Sequence, residues 1–361
     1  MHTKEERRKW SAGILGERRR HSRRSLAALL AVLIGAAWAW PARAAVLGCG
    51  AIVGPGRTMA LEADVTACGP GLPAVTVVGP VTLDLRGHEV TCASGATPGD
   101  RPIGIQVLGS KAKVKNGTVR GCLLGVSLEG EGHTLSQMLI DRSLLEGVYV
   151  AGTRNRLKDV VSAASQYGGG FLVDGESNRV SGCTASGNSR QGFEILGHGN
   201  QLGRSVASSN RYRGVDVRGD HARLVRNTVV YTDDLASGGD GLGFAVFGID
   251  PVLTRNAASF NDGDGFQISA NAASITANSA SNNGGDGFSV HGRSNLLPRN
   301  TAKNNARSGI RLRPGSELSR VLRNVSLGHS QPSFDLSDGA SCGVNLWIAN
   351  PFTSRSSTCI E

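Results

Sequence analysis

A glycine followed by an apolar residue returns at a nearly fixed interval through most of the chain. It stands at Gly104, Gly125, Gly147, Gly170, Gly192, Gly214, Gly243, Gly265, Gly287 and Gly309, with steps of 21, 22, 23, 22, 22, 29, 22, 22 and 22 residues. The residue after each glycine is Ile, Val or Phe, and the residue two further on (Val107, Leu128, Val150, Val173, Ile195 and so on) is again aliphatic. Polar side chains such as Gln106, Glu194, Asp216 and Gln267 fill the position between. Alternation of period two describes a strand with one buried face. Its recurrence every 22 residues describes stacked copies of one small unit. The spacing does not fit the 3.6-residue helical period, and the repeats are rich in Gly, Asn and Ser, which are weak helix formers. The predicted fold is all-β, a right-handed parallel β-helix of about twelve coils, each advancing ~4.8 Å.

Composition agrees. Glycine is 50 of 361 residues without a period of three, which excludes collagen, and 19% charged and 5% aromatic residues suit neither a disordered chain nor a sandwich core. The net charge of +10 suggests nucleic acid until it is located: residues 1–44 hold ten Lys or Arg against three acids, so the rest carries only +3. No nucleic-acid partner is expected.

The basic run ends at Arg24, and an apolar stretch from Leu26 to Trp40 leads to Pro41 and Ala42-Arg43-Ala44. That order is a signal peptide, too short to span a bilayer, with cleavage expected after Ala44. Ser22-Arg23-Arg24-Ser25-Leu26 resembles a twin-arginine signal without its usual Phe and Lys, so both export routes stay open. Either one predicts a periplasmic or secreted protein, not held in the membrane once the signal is removed, and expected to be a monomer. The expected divisions are an N-terminal cap over 45–75, the β-helix over 76–328 and a C-terminal cap over 329–361.

All seven cysteines lie beyond the signal, where disulfides persist. Cys49 with Cys68 and Cys342 with Cys359 would close short loops. Cys183 lies thirteen residues after its glycine, in the register that Asn227, Asn256, Asn278 and Asn300 occupy later, and is expected to be buried and unpaired. Those asparagines, and Asn188, Asn210, Asn261, Asn283 and Asn305 four before a glycine, should form hydrogen-bonded ladders along the axis.

The segment Val81–Val90, the Gly-Val and Gly-Phe repeats and the closing Asn345-Leu-Trp347, Asn350-Pro-Phe352 and Cys359 resemble bacterial secreted β-helix proteins of the pectate-lyase-like superfamily. The resemblance implies the fold over about residues 46–361 and leaves the reaction open, because this scaffold carries many. The family's motifs are incomplete. Asp250-Pro251-Val252-Leu253 lacks the histidine and second acid of mannuronan epimerases. Gly197-His198-Gly199 precedes every candidate acid pair, the reverse of polygalacturonases. Trp347-Ile348-Ala349-Asn350 lacks the Asp and His of pectate lyases. With only Met59 and Met138 beyond the signal, copper delivery is poorly supported.

The 29-residue step contains a seven-residue insertion within Tyr231–Gly241, and acids gather there: Asp233, Asp234 and Asp240, then Asp262, Asp264 and Asp286. Asp264 and Asp286 each precede a repeat glycine and should stack one coil apart, which raises one pKa or invites a cation. They are the expected acid pair, with His291 as a third catalytic candidate. Asp240, Asp262, Asp264 and Asp286 are the candidate Ca2+ ligands. A run of arginines from Arg190 to Arg226 suits acidic glycans. Arg211, Arg213, Glu194, Asp216, Gln267 and Arg311 are the expected substrate-binding residues. The expected function is binding of acidic polysaccharide, such as a polyuronate, with lyase, epimerase or hydrolase chemistry left open. The alternative is a non-catalytic surface or periplasmic adhesion module.

Overall fold

The structure, a computed structural model, describes residues 43–56, 58–93, 101–233, 240–330 and 333–361. Residues 1–42 of the expected signal peptide, the twin-arginine motif among them, lie outside the described residues, as does Asp234 of the insertion. The first strand, Arg43–Ala45, pairs with the strand Thr58–Leu61 and so straddles the expected cleavage point.

Thirteen strands stack in parallel into one sheet, from Ala51–Val53 to Leu336–Asp338. A second sheet of 23 strands runs beside it as two adjoining ladders that meet at a corner. The chain is therefore a parallel β-helix, with thirteen coils where about twelve were expected. The difference arises at the ends. Strands at Ala51–Val53 and Leu336–Asp338 place coils inside both segments expected as caps. The first carries the glycine signature outside the regular spacing, at Gly50-Ala51-Ile52-Val53, and the last has Asp335 in place of the glycine, yet Val53, Leu61, Val65 and Leu336 are buried like the core positions of the regular repeats.

The repeat has a steric cause. A β-carbon at Gly265 would lie 2.8 Å from Asn283 Nδ2 and 2.9 Å from the Gly287 carbonyl oxygen of the next coil. Only glycine fits where successive turns pass this closely. The following residue points inward and stacks on its equivalents: Phe244, Phe266 and Phe288 lie 4.7 Å apart between ring centroids, and Phe171 and Phe193 4.8 Å. All five rings are fully buried. Such a core gains from in-register stacking what a globular core gains from interdigitation, contact between like side chains from coil to coil.

The expected asparagine ladders are present. Asn256 donates its main-chain N–H and its amide to Asn278 Oδ1 (2.8 and 2.9 Å), and Asn278 donates both to Asn300 Oδ1 (2.9 and 3.1 Å). The column continues through Asn324 to Asn350. The other column is interrupted where the insertion leaves Thr232, whose N–H still reaches Asn261 Oδ1. A third ladder, through Asn155, Asn178 and Asn200, was not anticipated. Two columns end in a histidine acting as asparagine does: His133 Nδ1 accepts the Ala112 N–H, and His329 Nδ1 accepts the Asn305 N–H. Cys183 occupies its predicted place, fully buried and unpaired, with its N–H on Ser205 Oγ. Burial pushes its thiol up to about 11. Cys49–Cys68 and Cys342–Cys359 form the expected disulfides, and Cys92–Cys122 is a third.

Candidate functional site

Beside the insertion, the turn that leads into the thirteen-stranded sheet changes character. Two residues before the repeat glycine stand Gly241, Gly263, Gly285 and then Arg307, each donating its N–H to the preceding one (2.9, 2.9 and 3.1 Å). Three successive glycines leave no side chains along this column, and their absence opens a depression of about 330 Å³. Asp240, Leu242, Asp262, Asp264 and Gln267 line it, and Arg307 and Arg313 close it at one end. A β-carbon at Gly285 would come 2.2 Å from Asp264 Oδ1, so the glycines are fixed by the site's own packing.

Asp264 and Asp286 stack as predicted, but each commits one oxygen to the scaffold. Asp264 Oδ1 accepts the Asp286 N–H at 2.7 Å, and Asp286 Oδ1 accepts the Ser308 N–H at 2.9 Å. The remaining oxygens face arginines, Asp264 Oδ2 at 3.6 Å from Arg313 Nη2 and Asp286 Oδ2 at 3.7 Å from Arg311 Nη1. Burial, followed by the charge of Asp286, pushes the Asp264 carboxyl up to about 6. Burial also raises Asp286. A carboxyl group held partly protonated near neutral pH can donate or accept a proton.

Arg213 departs from its expected role. Its Nε donates to both oxygens of Asp240 (3.0 and 3.1 Å), its Nη2 also donates to Asp240, and its Nη1 donates to Asp216 Oδ2 at 2.9 Å. Arg218 adds a second contact to the same Asp216 oxygen at 2.9 Å. With two carboxylates on its fork, Arg213 is a tie between coils, and it has no free face for a sugar carboxylate. Asp216, fully buried, is likewise internal, and Asp240 is neutralised by an arginine. Among the described residues no group of three or more His, Cys, Asp or Glu side chains is arranged to hold a metal. The arginines beside the free oxygens of Asp264 and Asp286 disfavour a cation there.

The other candidates disperse. Gln267 and Asp262 line the depression. Arg211 and His291 are exposed and do not line it; the His291 ring lies over the turn at Gly315. Arg311 forms its one ion pair among the described residues with Asp286. Glu194 lies on the coil before Asp216, its carboxyl raised by burial and then by the Asp216 charge. Arg307 was missed. It is exposed, lines the depression and has no ion pair among the described residues. Its signal was present in the register, as the one long side chain ending a column of glycines.

A family model described as right handed beta helix region matches residues 103–246 and 235–356. No curated protein sequence is significantly similar to the chain. Three of the similar solved structures are the periplasmic alginate epimerase AlgG, PfbA, and a DFA-IIIase mutant from Arthrobacter chlorophenolicus A6. The epimerase has a TM-score of 0.52 and 14% identity over 83% of this chain and 77% of that one. PfbA, a surface adhesin of Streptococcus pneumoniae, has a TM-score of 0.51 and 8% identity, covering 76% and 82%. The DFA-IIIase, in complex with DFA-III, has a TM-score of 0.50 and 12% identity, covering 81% and 76%. At these identities they share the fold.

Proposed function

Because the chain belongs to the right-handed β-helix family, whose scaffold carries unrelated activities, we propose its function from the depression: an exported protein that binds acidic polysaccharide beside the insertion. The observation that carries this reading is the pairing of Arg307, which has no ion pair among the described residues, and Arg313, held by Ser289 Oγ and Asp264, with a buried, partly protonated Asp264 in one solvent-open recess. Guanidinium forks hold a sugar carboxylate, and Asp264 is placed to exchange a proton with the neighbouring sugar. Export is supported by three disulfides, which persist outside a reducing cytoplasm. The related folds include an alginate epimerase and an adhesin, so both an enzyme and a binding module have precedent on this scaffold.

A non-catalytic module is the second reading, favoured by the engagement of Asp264 Oδ1 and Asp286 Oδ1 with main-chain N–H groups. One experiment separates the two. The protein is incubated with a panel of polyuronates while the absorbance of an unsaturated lyase product, new reducing ends and binding are followed. Binding abolished by Arg307→Gln with Arg313→Gln supports the site. Turnover abolished by Asp264→Asn with binding retained makes it an enzyme. Unchanged binding in the double arginine variant rejects the depression as the site.

A further inference from the structure

The corner between the two ladders of the 23-stranded sheet carries a second feature, remote in register from the depression. Twelve residues after the repeat glycines stand Arg204, Arg226, Arg255, Ala277 and Arg299, and Arg323 continues the column. Their N–H groups all donate to the equivalent carbonyl of the next coil, at 3.0 to 3.1 Å, so they stack directly. All six have φ between 52° and 59°. This left-handed conformation suits Gly or Asn and is unfavourable for arginine. Earlier coils place Asn116, Gln137, Asp159 and Gly182 here, all at positive φ. The five arginines are exposed, and none forms an ion pair among the described residues.

The surroundings have one sign. Residues 201–209, 223–230, 252–259, 274–281, 296–303 and 320–327, the paired strands that flank this corner on six coils, contain no Asp or Glu. They add Arg223, Lys303 and Arg320, for eight cations in all. Within these strands no carboxylate competes for the guanidinium groups, unlike Arg213 with its two; the acid of this column, Asp159, lies over Gly182 at its start.

We propose that this arginine ladder is a binding track for a linear polyuronate, separate from the depression. The ladder repeats every ~4.8 Å, the spacing of adjacent strands. A 1,4-linked uronate chain offers one carboxylate per sugar, and a pyranose ring with its bridging oxygen spans ~5 Å from ordinary bond lengths. The rings therefore advance at the pace of the coils; because successive rings are turned about the chain axis, the carboxylates on the side facing the corner meet guanidinium forks while the others face solvent, with one vacancy in the ladder at Ala277. The track holds a chain along the axis while the recess on the other side of the coil remains free, and it stands whether or not the depression binds sugar.

The test uses a fluorescent oligogalacturonate of about ten residues and the variant Arg226→Asn/Arg255→Asn/Arg299→Asn. Asparagine tolerates the left-handed conformation, so the melting temperature should hold or rise. Binding should weaken at least about tenfold, and the slope of log K against log salt should fall by about 1 to 2, since up to three charge contacts are lost from a single chain. Ala277→Arg, which fills the vacancy, should tighten binding and steepen that slope by about 0.7. Arg307→Gln with Asp264→Asn should leave ladder binding in place, which separates this proposal from the depression. Binding within twofold of the parent in the triple variant, or no gain from Ala277→Arg, overturns it. Tighter binding of a single-stranded oligodeoxynucleotide of equal charge overturns the assignment of partner.

Discussion

Replacing Asp264 by Asn should stabilise the protein above pH 6 and leave it unchanged at pH 4. The side chain is only 10% exposed, and its carboxyl is pushed from an ordinary 3.8 up to about 6 by burial and by Asp286. A raised acid pKa means that the folded state prefers the protonated form. Stability is complete below about pH 4, where folded and unfolded chains both carry the proton. It is lost as pH rises through 4 to 6, because the unfolded chain ionises first. At 1.36 kcal/mol per pH unit, the interval corresponds to about 3 kcal/mol at most. Asparagine keeps an oxygen for the Asp286 N–H at 2.7 Å and carries no charge, and the attraction of Asp264 to Arg313 is already inside the net upward shift; what opposes the gain is that the amide NH2 then faces the Arg313 guanidinium, 3.6 Å from the oxygen it replaces. A net gain of about 2 kcal/mol at pH 7.5 remains. Guanidinium unfolding followed by far-ultraviolet circular dichroism at pH 4.0 and 7.5 measures both limits. An equal effect at the two pH values, or destabilisation at pH 7.5, refutes the reasoning. Confirmation would show that the fold retains an ionisable group at the expense of stability, as functional sites do.

Three further outcomes are expected. Asn278→Ala removes an acceptor from the buried Asn256 N–H together with three other hydrogen bonds of the ladder. It should cost about 3–5 kcal/mol in the same unfolding assay, whereas Asn282→Gly, exposed and at a φ of 55°, should stay within about 0.5 kcal/mol. His329 is held neutral, its pKa lowered by burial, and Nδ1 accepts from Asn305. The parent should therefore lose stability as pH falls below the ordinary histidine value, and His329→Asn should lessen that loss in melting curves between pH 7 and pH 5. Thr232 buries a hydroxyl without a hydrogen-bond partner among the described residues, so Thr232→Val should raise stability by about 1 kcal/mol; a lower melting temperature would count against that account.

The candidate site was half legible in the sequence. Asp264 and Asp286 could be placed because both precede a repeat glycine, and stacking by register needs no knowledge of distances. Arg213 could not. Its partners are Asp216, three residues on in the same coil, and Asp240, at the far end of the insertion, and a seven-residue insertion has no register from which to read a contact. Grouping Arg190 to Arg226 by nearness in sequence also misled. Arg213 opens a strand of the thirteen-stranded sheet, whereas Arg204 and Arg226 lie at the corner of the other sheet. In a coil of 22 residues, neighbours in sequence face different directions, and neighbours in space are one repeat apart.

The sequence by itself determined the coil. A glycine where turns pass too closely for a β-carbon, an inward apolar residue after it and stacked amides are local requirements repeated in every turn, so periodicity exposes them. Only the tertiary structure decided where charge collects. The part beyond residue 44 sums to +3, which as a total describes a nearly neutral molecule. Stacking sorts that total into an acid-free corner with eight cations and a recess where buried carboxylates meet arginines. Electrostatic recognition depends on which charges share a surface within a Debye length, and a sum over the chain carries no such information.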